Sequence, residues 1–588
     1  MIDLAATFAA AERAFSSGDP QGAVRLIGKI EPLITPDAAL FHLKALALKQ
    51  AGRDEESLTA FQQASRLAPA DAAIANNQAN LLDRMGRKEA ALQLYDRAIA
   101  LQPAYRDARY NKALLLQSLG RDEEALKLVE ALCADDPADA PALATRGSIL
   151  LKLERHDEAE RSFRGALARR PNLPSALAGR ARLGLERQEA GAPAHYEEAL
   201  RARPGDLNLV LGLAEALELN GDPLALDLLE HAVGAHPGWL GGLAALARMR
   251  SEAGESDFTR DVRAALGRGG DDQAILLLHA RLLAQADRPA EAAEVLERAT
   301  GGADVALTRA LYLGDAGEAQ SGLDLLASVG ARDRPNAELV RGRLSLQMGD
   351  MDAAIAALTR AVELDPYSIS AWGHLELAWR LTGHERSQWL SGQPNLFAAR
   401  DIDLSPGEIA DTADFVRTLH RAQAHPVGQS LRGGTQTRGR LLLRQEPQIR
   451  RLFEALAEAV ERHRAELPTA DPRHPLLRHR DRSLRIAGSW SVRLTDAGFH
   501  VHHIHPEGVL SSACYLAVPE ALGSAAGREG WLELGRPPKE LRLDLEPLAT
   551  IEPEPGRLVL FPSYLFHGTR PFHSGERLTV AFDVVLAQ

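Results

Sequence analysis

Four histidines fall within six residues in the stretch HVHHIHPEG at positions 500–508. His503 and His505 are two apart, so on an extended chain both side chains leave the same face and can converge on one ion. His500 and His502 are less able to join that set. Neutral imidazole is a borderline ligand suited to Fe, Zn, Cu or Ni. A third ligand must come from elsewhere, and His567 in LVLFPSYLFHGT lies just past a strongly apolar run. Ten residues further on, Arg577 opens the last apolar run, and Thr579 faces the same way. A guanidinium inside a barrel and beside a metal is costly unless an anion pairs with it, and its planar fork matches a carboxylate. Other polar and aromatic residues read more plainly. Asp583 shares parity with Arg577 and is expected to be its ion-pair partner. Tyr515 and Trp490 are expected to be core, with pocket lining as the alternative; Cys514 is expected to be a small hydrophobe on the face opposite Tyr515, His573 a surface turn residue, and Arg432 a solvated loop residue, with a functional role as the alternative.

These residues need a scaffold of strands. Short β-prone runs occur at 489–494, 509–518, 530–535, 556–562 and 577–586, separated by Pro and Gly. They follow an amphipathic helix over 446–466 with Leu452, Leu456 and Val460 on one face. Strands at this spacing predict an antiparallel sandwich or small barrel.

The preceding sequence is of another kind. Pro69, Pro103, Pro137 and Pro171 are each 34 residues apart, with Ala45, Ala79, Ala113 and Gly147 in one recurring slot and Gly52, Gly86 and Gly120 in another. Ser57, Ala91, Ala125 and Ala159 fill a third, followed by Phe61, Tyr95, Val129 and Phe163. Small residues let paired helices approach, glycine ends the first in a left-handed conformation, and proline stops the second. The pattern resembles the tetratricopeptide repeat. It predicts an all-α array over residues 1–385 of roughly ten units, degenerate around 238–335, whose concave surface is expected to take a protein or peptide.

A chain of 588 residues exceeds one hydrophobic core, and 45% hydrophobic with 25% charged residues is ordinary for globular protein. The net charge of −12 is spread without a long basic block, so no nucleic-acid partner is expected. No run of eighteen apolar residues occurs, so no membrane span is expected. The N-terminus lacks the pattern of a secretory signal, and the only cysteines are Cys133 and Cys514. A cytoplasmic location is the expectation.

The second region, 386–588, resembles the Fe(II)- and 2-oxoglutarate-dependent dioxygenases, in particular a bacterial branch carrying a tetratricopeptide array in front. The resemblance rests on HIHPEGVLSSACYL at 503–516, PGRLVLFPSYLFHGTRPF at 555–572 and ERLTVAFDV at 576–584, with HPVGQSLRGGTQTRG at 425–439 as a further likeness. It implies a double-stranded β-helix (jelly-roll, cupin-like) with its core at about 485–588. His503, His505 and His567 would hold Fe(II), and Arg577 with Thr579 would hold 2-oxoglutarate, with O2 as the other cosubstrate. The usual ligand set is two histidines and one carboxylate, so a set of His505, Glu507 and His567 stands beside the three-histidine set, although Pro506 makes the strand irregular there. The activity implied is hydroxylation of a protein or peptide recruited by the array. A metal-binding scaffold that has lost activity, and a small-molecule hydroxylase, are the alternatives.

Overall fold

The structure is a computed structural model that describes residues 3–268, 271–330, 333–421, 428–519 and 527–587. Among these, twenty-four helices precede residue 392, successive helices pairing as hairpins. The chain falls into two compact units, one of Met1–Leu183 with Ala194–Pro204, the other of Gly184–Pro193 with Gly205–Gln588.

In the first unit the repeating slots do what their chemistry demands. Gly52, Gly86 and Gly120 take φ of +76°, +77° and +75°, ending one helix before the next begins, and Glu154 adopts +60° in the same slot of the following repeat. Ala45, Ala79 and Ala113 are fully buried. At the equivalent Gly147 a Cβ would lie 2.6 Å from the Phe163 ring, so the aromatic there requires glycine. The Ser57 hydroxyl ties its hairpin by donating to the Ala45 carbonyl at 2.6 Å.

The second unit joins the later helices to the sheet domain. The stretch whose template decays is still helical, with Leu240–Glu252, Asp272–Gln285, Pro289–Glu297, Gly302–Ala316 and Ala319–Ser328. Nine strands follow: β1 Ala398–Asp401, β2 Leu431–Gln436, β3 Leu484–His500, β4 Leu510–Ala517, β5 Leu532–Leu534, β6 Ala549–Ile551, β7 Arg557–Pro562, β8 His567–Thr569 and β9 Glu576–Leu586. They form an antiparallel six-stranded sheet in the order β1-β7-β4-β9-β3-β2 and a three-stranded sheet β6-β5-β8. Tyr515, Val559 and Phe561 of the large sheet pack with Leu532 and Leu534 of the small one, so the two sheets form a sandwich of jelly-roll type.

The outer face of the large sheet is covered. Helix Pro447–Glu466 buries Ile449, Leu452, Phe453, Leu456 and Val460 in one core with Leu510, Cys514, Leu578, Val580, Phe582 and Val584. Leu346, Leu358, Trp372 and Trp379 from the last repeat hairpins belong to that same core. The segment ahead of this helix is pinned to repeat helices and the turns after them as well. Arg432 pairs with Asp287 at 2.7 Å, Arg438 pairs with Glu218 and Glu252, and Arg444 donates to the Gln188 side-chain amide oxygen at 2.8 Å. This is the stretch quoted from residue 425, whose first three residues, 425–427, lie outside the described ones.

Helix Ile369–Leu381 carries Glu376, 1% exposed, whose carboxylate accepts from the Ser391 hydroxyl at 2.9 Å and faces Arg380 at 3.5 Å. Burial outweighs both partners and pushes its pKa up to about 7. The folded state keeps this proton over a range where the unfolded chain has released it. Its contribution to stability is therefore full below the ordinary glutamate value and is lost as pH rises toward about 7, by about 1.4 kcal/mol per pH unit at the steepest. Urea unfolding between pH ~5 and ~8 should show that slope in the difference between wild type and Glu376→Gln, with the variant gaining relative to wild type as pH rises.

Candidate metal centre and cosubstrate pocket

The site begins with backbone pairing. β3 ends at His500, and His503 then forms a single antiparallel bridge with His567 of β8. The two residues exchange both hydrogen bonds, His503 N–H to the His567 carbonyl at 3.0 Å and His567 N–H to the His503 carbonyl at 2.9 Å. Residues opposed in this way project side chains to one face, and the two rings lie 4.2 Å apart between centroids. His505 follows two residues later, outside any strand, with its ring 5.0 Å from each of the other two. Ligand atoms of His503, His505 and His567 all lie within 4.8 Å of one another.

Hydrogen bonding decides which ring nitrogen each histidine offers. Nδ1 of His503 faces the Val501 carbonyl at 2.9 Å, and Nδ1 of His567 faces the Leu565 carbonyl at 3.2 Å. Nδ1 of His505 faces a carboxylate oxygen of Asp583 at 2.5 Å. Each of these oxygens only accepts, so each Nδ1 carries the proton and each Nε2 presents its lone pair. Nε2 of His503 and Nε2 of His505 stand 3.0 Å apart. At that distance both nitrogens lie within reach of one shared ion. Burial, then the other histidines, lowers the His503 pKa to about 3 and holds His567 well below its ordinary value. These rings are neutral near pH 7, the state in which imidazole binds metal.

Beside them lies a cavity of about 1060 Å³. β9 feeds it by strict alternation: Arg577, Thr579, Ala581 and Asp583 line the cavity, while Leu578, Val580, Phe582 and Val584 enter the apolar core. Arg577 is 1% exposed. Its guanidinium donates to the Gly530 carbonyl at 2.8 Å and the Thr569 hydroxyl at 3.1 Å, and its Nε has no partner among the described residues. Among the described residues no carboxylate pairs with it, and burial lowers its pKa. Tyr515, also lining the cavity, is 1% exposed with an unpartnered hydroxyl, its pKa pushed up to about 12 by burial. A buried guanidinium with neutral acceptors only, next to an unused phenol, fits an anionic ligand such as a dicarboxylate. Three converging imidazoles fit a divalent transition metal.

Several expectations need correction. Asp583 does not pair with Arg577; it holds His505, because the two side chains are six positions apart on β9 and the loop after β3 returns over Asp583. Trp490 and Tyr515 face the cavity instead of serving only as core, with the Trp490 ring 5.6 Å from that of His505. Arg432 also lines the cavity, held by Asp287 instead of solvent. His503 and His505 lie beyond the strand end, consistent with the missing N–H of Pro506. Glu507 is exposed at the cavity rim, outside the three-histidine group. Nδ1 of His500 lies 3.0 Å from the Ser430 hydroxyl, and His502 lies 3.3 Å from Glu533. Cys514 is buried in the apolar core and His573 is exposed, as expected.

Residues 488–583 match the family described as "Putative 2OG-Fe(II) oxygenase". Residues 42–101, 76–140, 145–206 and 339–368 match tetratricopeptide-repeat families. The protein thus combines tetratricopeptide repeats with a C-terminal domain of the oxygenase family. No curated protein matches the chain. Among solved structures, MamA from Desulfovibrio magneticus is similar at 21% identity over 29% of this chain and 97% of that one, with a TM-score of 0.27. The C-terminal part of a repeat-containing protein from Cytophaga hutchinsonii is similar at 17% over 39% and 95%, TM-score 0.33. A tetratricopeptide repeat protein from Parabacteroides merdae is similar at 18% over 44% and 91%, TM-score 0.32.

The last repeat helix reaches this centre through Gly373. A Cβ there would lie 2.6 Å from the Tyr564 carbonyl and 3.6 Å from Ile504, in the two segments that carry the histidines. Gly373→Ala should destabilise the second unit by about 1–3 kcal/mol in urea unfolding, and should weaken Co(II) binding although Gly373 touches no ligand.

Proposed function

We propose that the protein is an Fe(II)- and 2-oxoglutarate-dependent dioxygenase that hydroxylates a protein or peptide. The observation that carries this reading is the convergence of three Nε2 lone pairs in one cavity with a buried guanidinium that has no anionic partner among the described residues. His503, His505 and His567 would hold the metal, and Arg577, helped by Thr579, would take the distal carboxylate of 2-oxoglutarate. With metal and cosubstrate bound, the chemistry supplied is oxidative decarboxylation of 2-oxoglutarate by O2 to succinate and CO2, coupled to conversion of a substrate C–H to C–OH. The chain's own part is to bind, orient and exclude water. Arg577 fixes one end of the cosubstrate, and the Tyr515 hydroxyl is placed to donate into the same cavity. Trp490 packs beside His505 and restricts its ring.

Support for a polypeptide substrate comes from the cavity's other wall. Arg281 and Gln285 from helix Asp272–Gln285, Tyr312 and Asp315 from Gly302–Ala316, and Arg343 from Pro335–Met348 all line it. A substrate reaching the histidines passes these repeat residues, so capture by the array and presentation to the centre become one binding event. A second reading, a metal-binding scaffold without turnover, is favoured by one observation: the converging group contains no carboxylate.

Succinate formation separates them. Anaerobically Fe(II)-loaded protein given 2-oxoglutarate and O2 should produce succinate slowly without substrate. His567→Ala should abolish this, and Arg577→Ala should require about 10-fold or more 2-oxoglutarate, since a charged hydrogen-bonded pair is worth about 1.5–3 kcal/mol. Metal binding with no succinate, even when peptide libraries are supplied, would establish the scaffold reading.

A further inference from the structure

The three histidines are not held alike. His503 and His567 each donate Nδ1–H to a main-chain carbonyl two residues earlier in their own segment, at 2.9 and 3.2 Å. His505 alone donates to a charged group, Asp583, at 2.5 Å. Asp583 sits near the end of β9, cross-strand from Ser511 of β4, and its register is fixed on that side by the ladder from Leu510↔Val584. Gly488, at the irregularity of β3 between Ile486 and Ser489, borders both groups: a Cβ there would lie 3.4 Å from the second carboxylate oxygen and 3.2 Å from the Trp490 ring. The Trp490 ring then closes on His505 from the other side. The carboxylate hydrogen-bonds the imidazole while the tilted indole packs 5.6 Å from the same ring.

Resting on the metal-centre reading above, we propose that Asp583 is a positioning residue that supplies, through His505, the negative charge which a directly bound carboxylate would otherwise bring to the centre. Three neutral imidazoles leave a divalent cation with its full charge. A carboxylate on the far side of one ring returns part of it, because a hydrogen-bonded carboxylate makes the imidazole a stronger donor and fixes its tautomer and orientation. A main-chain carbonyl, the partner of the other two rings, does this more weakly. The departure from two histidines and a carboxylate is thereby compensated one bond further out. Glu507, exposed at the rim, carries the same formal charge and does not contribute.

The test uses the full chain and Co(II), whose visible spectrum reports both affinity and ligand geometry. Asp583→Asn keeps the size and an acceptor oxygen but removes the charge; it should weaken Co(II) binding by about 10–100-fold and alter the spectrum. Asp583→Glu should retain most of the affinity, and Glu507→Gln all of it. In the Co(II) protein, proton NMR should show three exchangeable, paramagnetically shifted ring N–H signals, of which Asp583→Glu moves one; this reading stands even if the Asn variant folds poorly. Unchanged affinity and spectrum in Asp583→Asn, with binding lost in His567→Ala, would overturn the role of Asp583 alone. Undiminished Co(II) binding in His567→Ala would instead overturn the metal centre itself.

Discussion

Along β9 the side-chain period of two keeps a guanidinium, a hydroxyl and a carboxylate apart from a hydrocarbon layer one residue away. Arg577, Thr579 and Asp583 face the cavity, and Leu578, Val580, Phe582 and Val584 face the helix Pro447–Glu466. A slip of one residue would drive both charges into the apolar core, at a cost of several kcal/mol for each ion. The strand is locked against such a slip on both sides, Thr579 being opposite Val492 of β3 and Tyr515 of β4. The site's chemistry is thus fixed by the same register that packs the core.

Charge is distributed along that strand with a purpose at each end. Asp583 meets a ring that needs a strong acceptor, and Arg577 meets only neutral acceptors from the chain. The first arrangement pairs opposite partners within the protein; the second leaves the guanidinium without an anionic partner among the described residues. The His503–His567 bridge ties the small sheet to the segment beyond β3, so the donor atoms depend on backbone pairing for their spacing and not on side-chain packing alone.

Much of this could be read from residue order. The repeat slots predicted left-handed glycines and close helix contacts, the amphipathic helix was visible in Leu452, Leu456 and Val460, and parity placed His503 with His505 and Arg577 with Thr579. Short strands such as β6 and β8 escaped, because three residues carry too little pattern to distinguish a strand from a loop. The tie between Asp583 and His505 escaped for a different reason. Parity along one strand says which residues share a face, but not which distant segment crosses that face. For the same reason Arg432 looked like a solvated loop residue, though its partner Asp287 lies in a repeat turn more than a hundred residues earlier.

In most repeat arrays each unit touches only its neighbours, so units can be gained or lost while the remainder is left intact. The core shared by Leu346, Leu358, Trp372 and Trp379 with the large sheet removes that freedom at one end of this array. Loss or duplication of a hairpin there would uncover the sheet's outer face or displace the helix whose Gly373 rests on Tyr564. Hairpins of the first compact unit have no part in that core. Over evolutionary time the array can therefore change its length only by editing its distal repeats, while the hairpins next to the sheet are inherited with the sheet domain as a single piece.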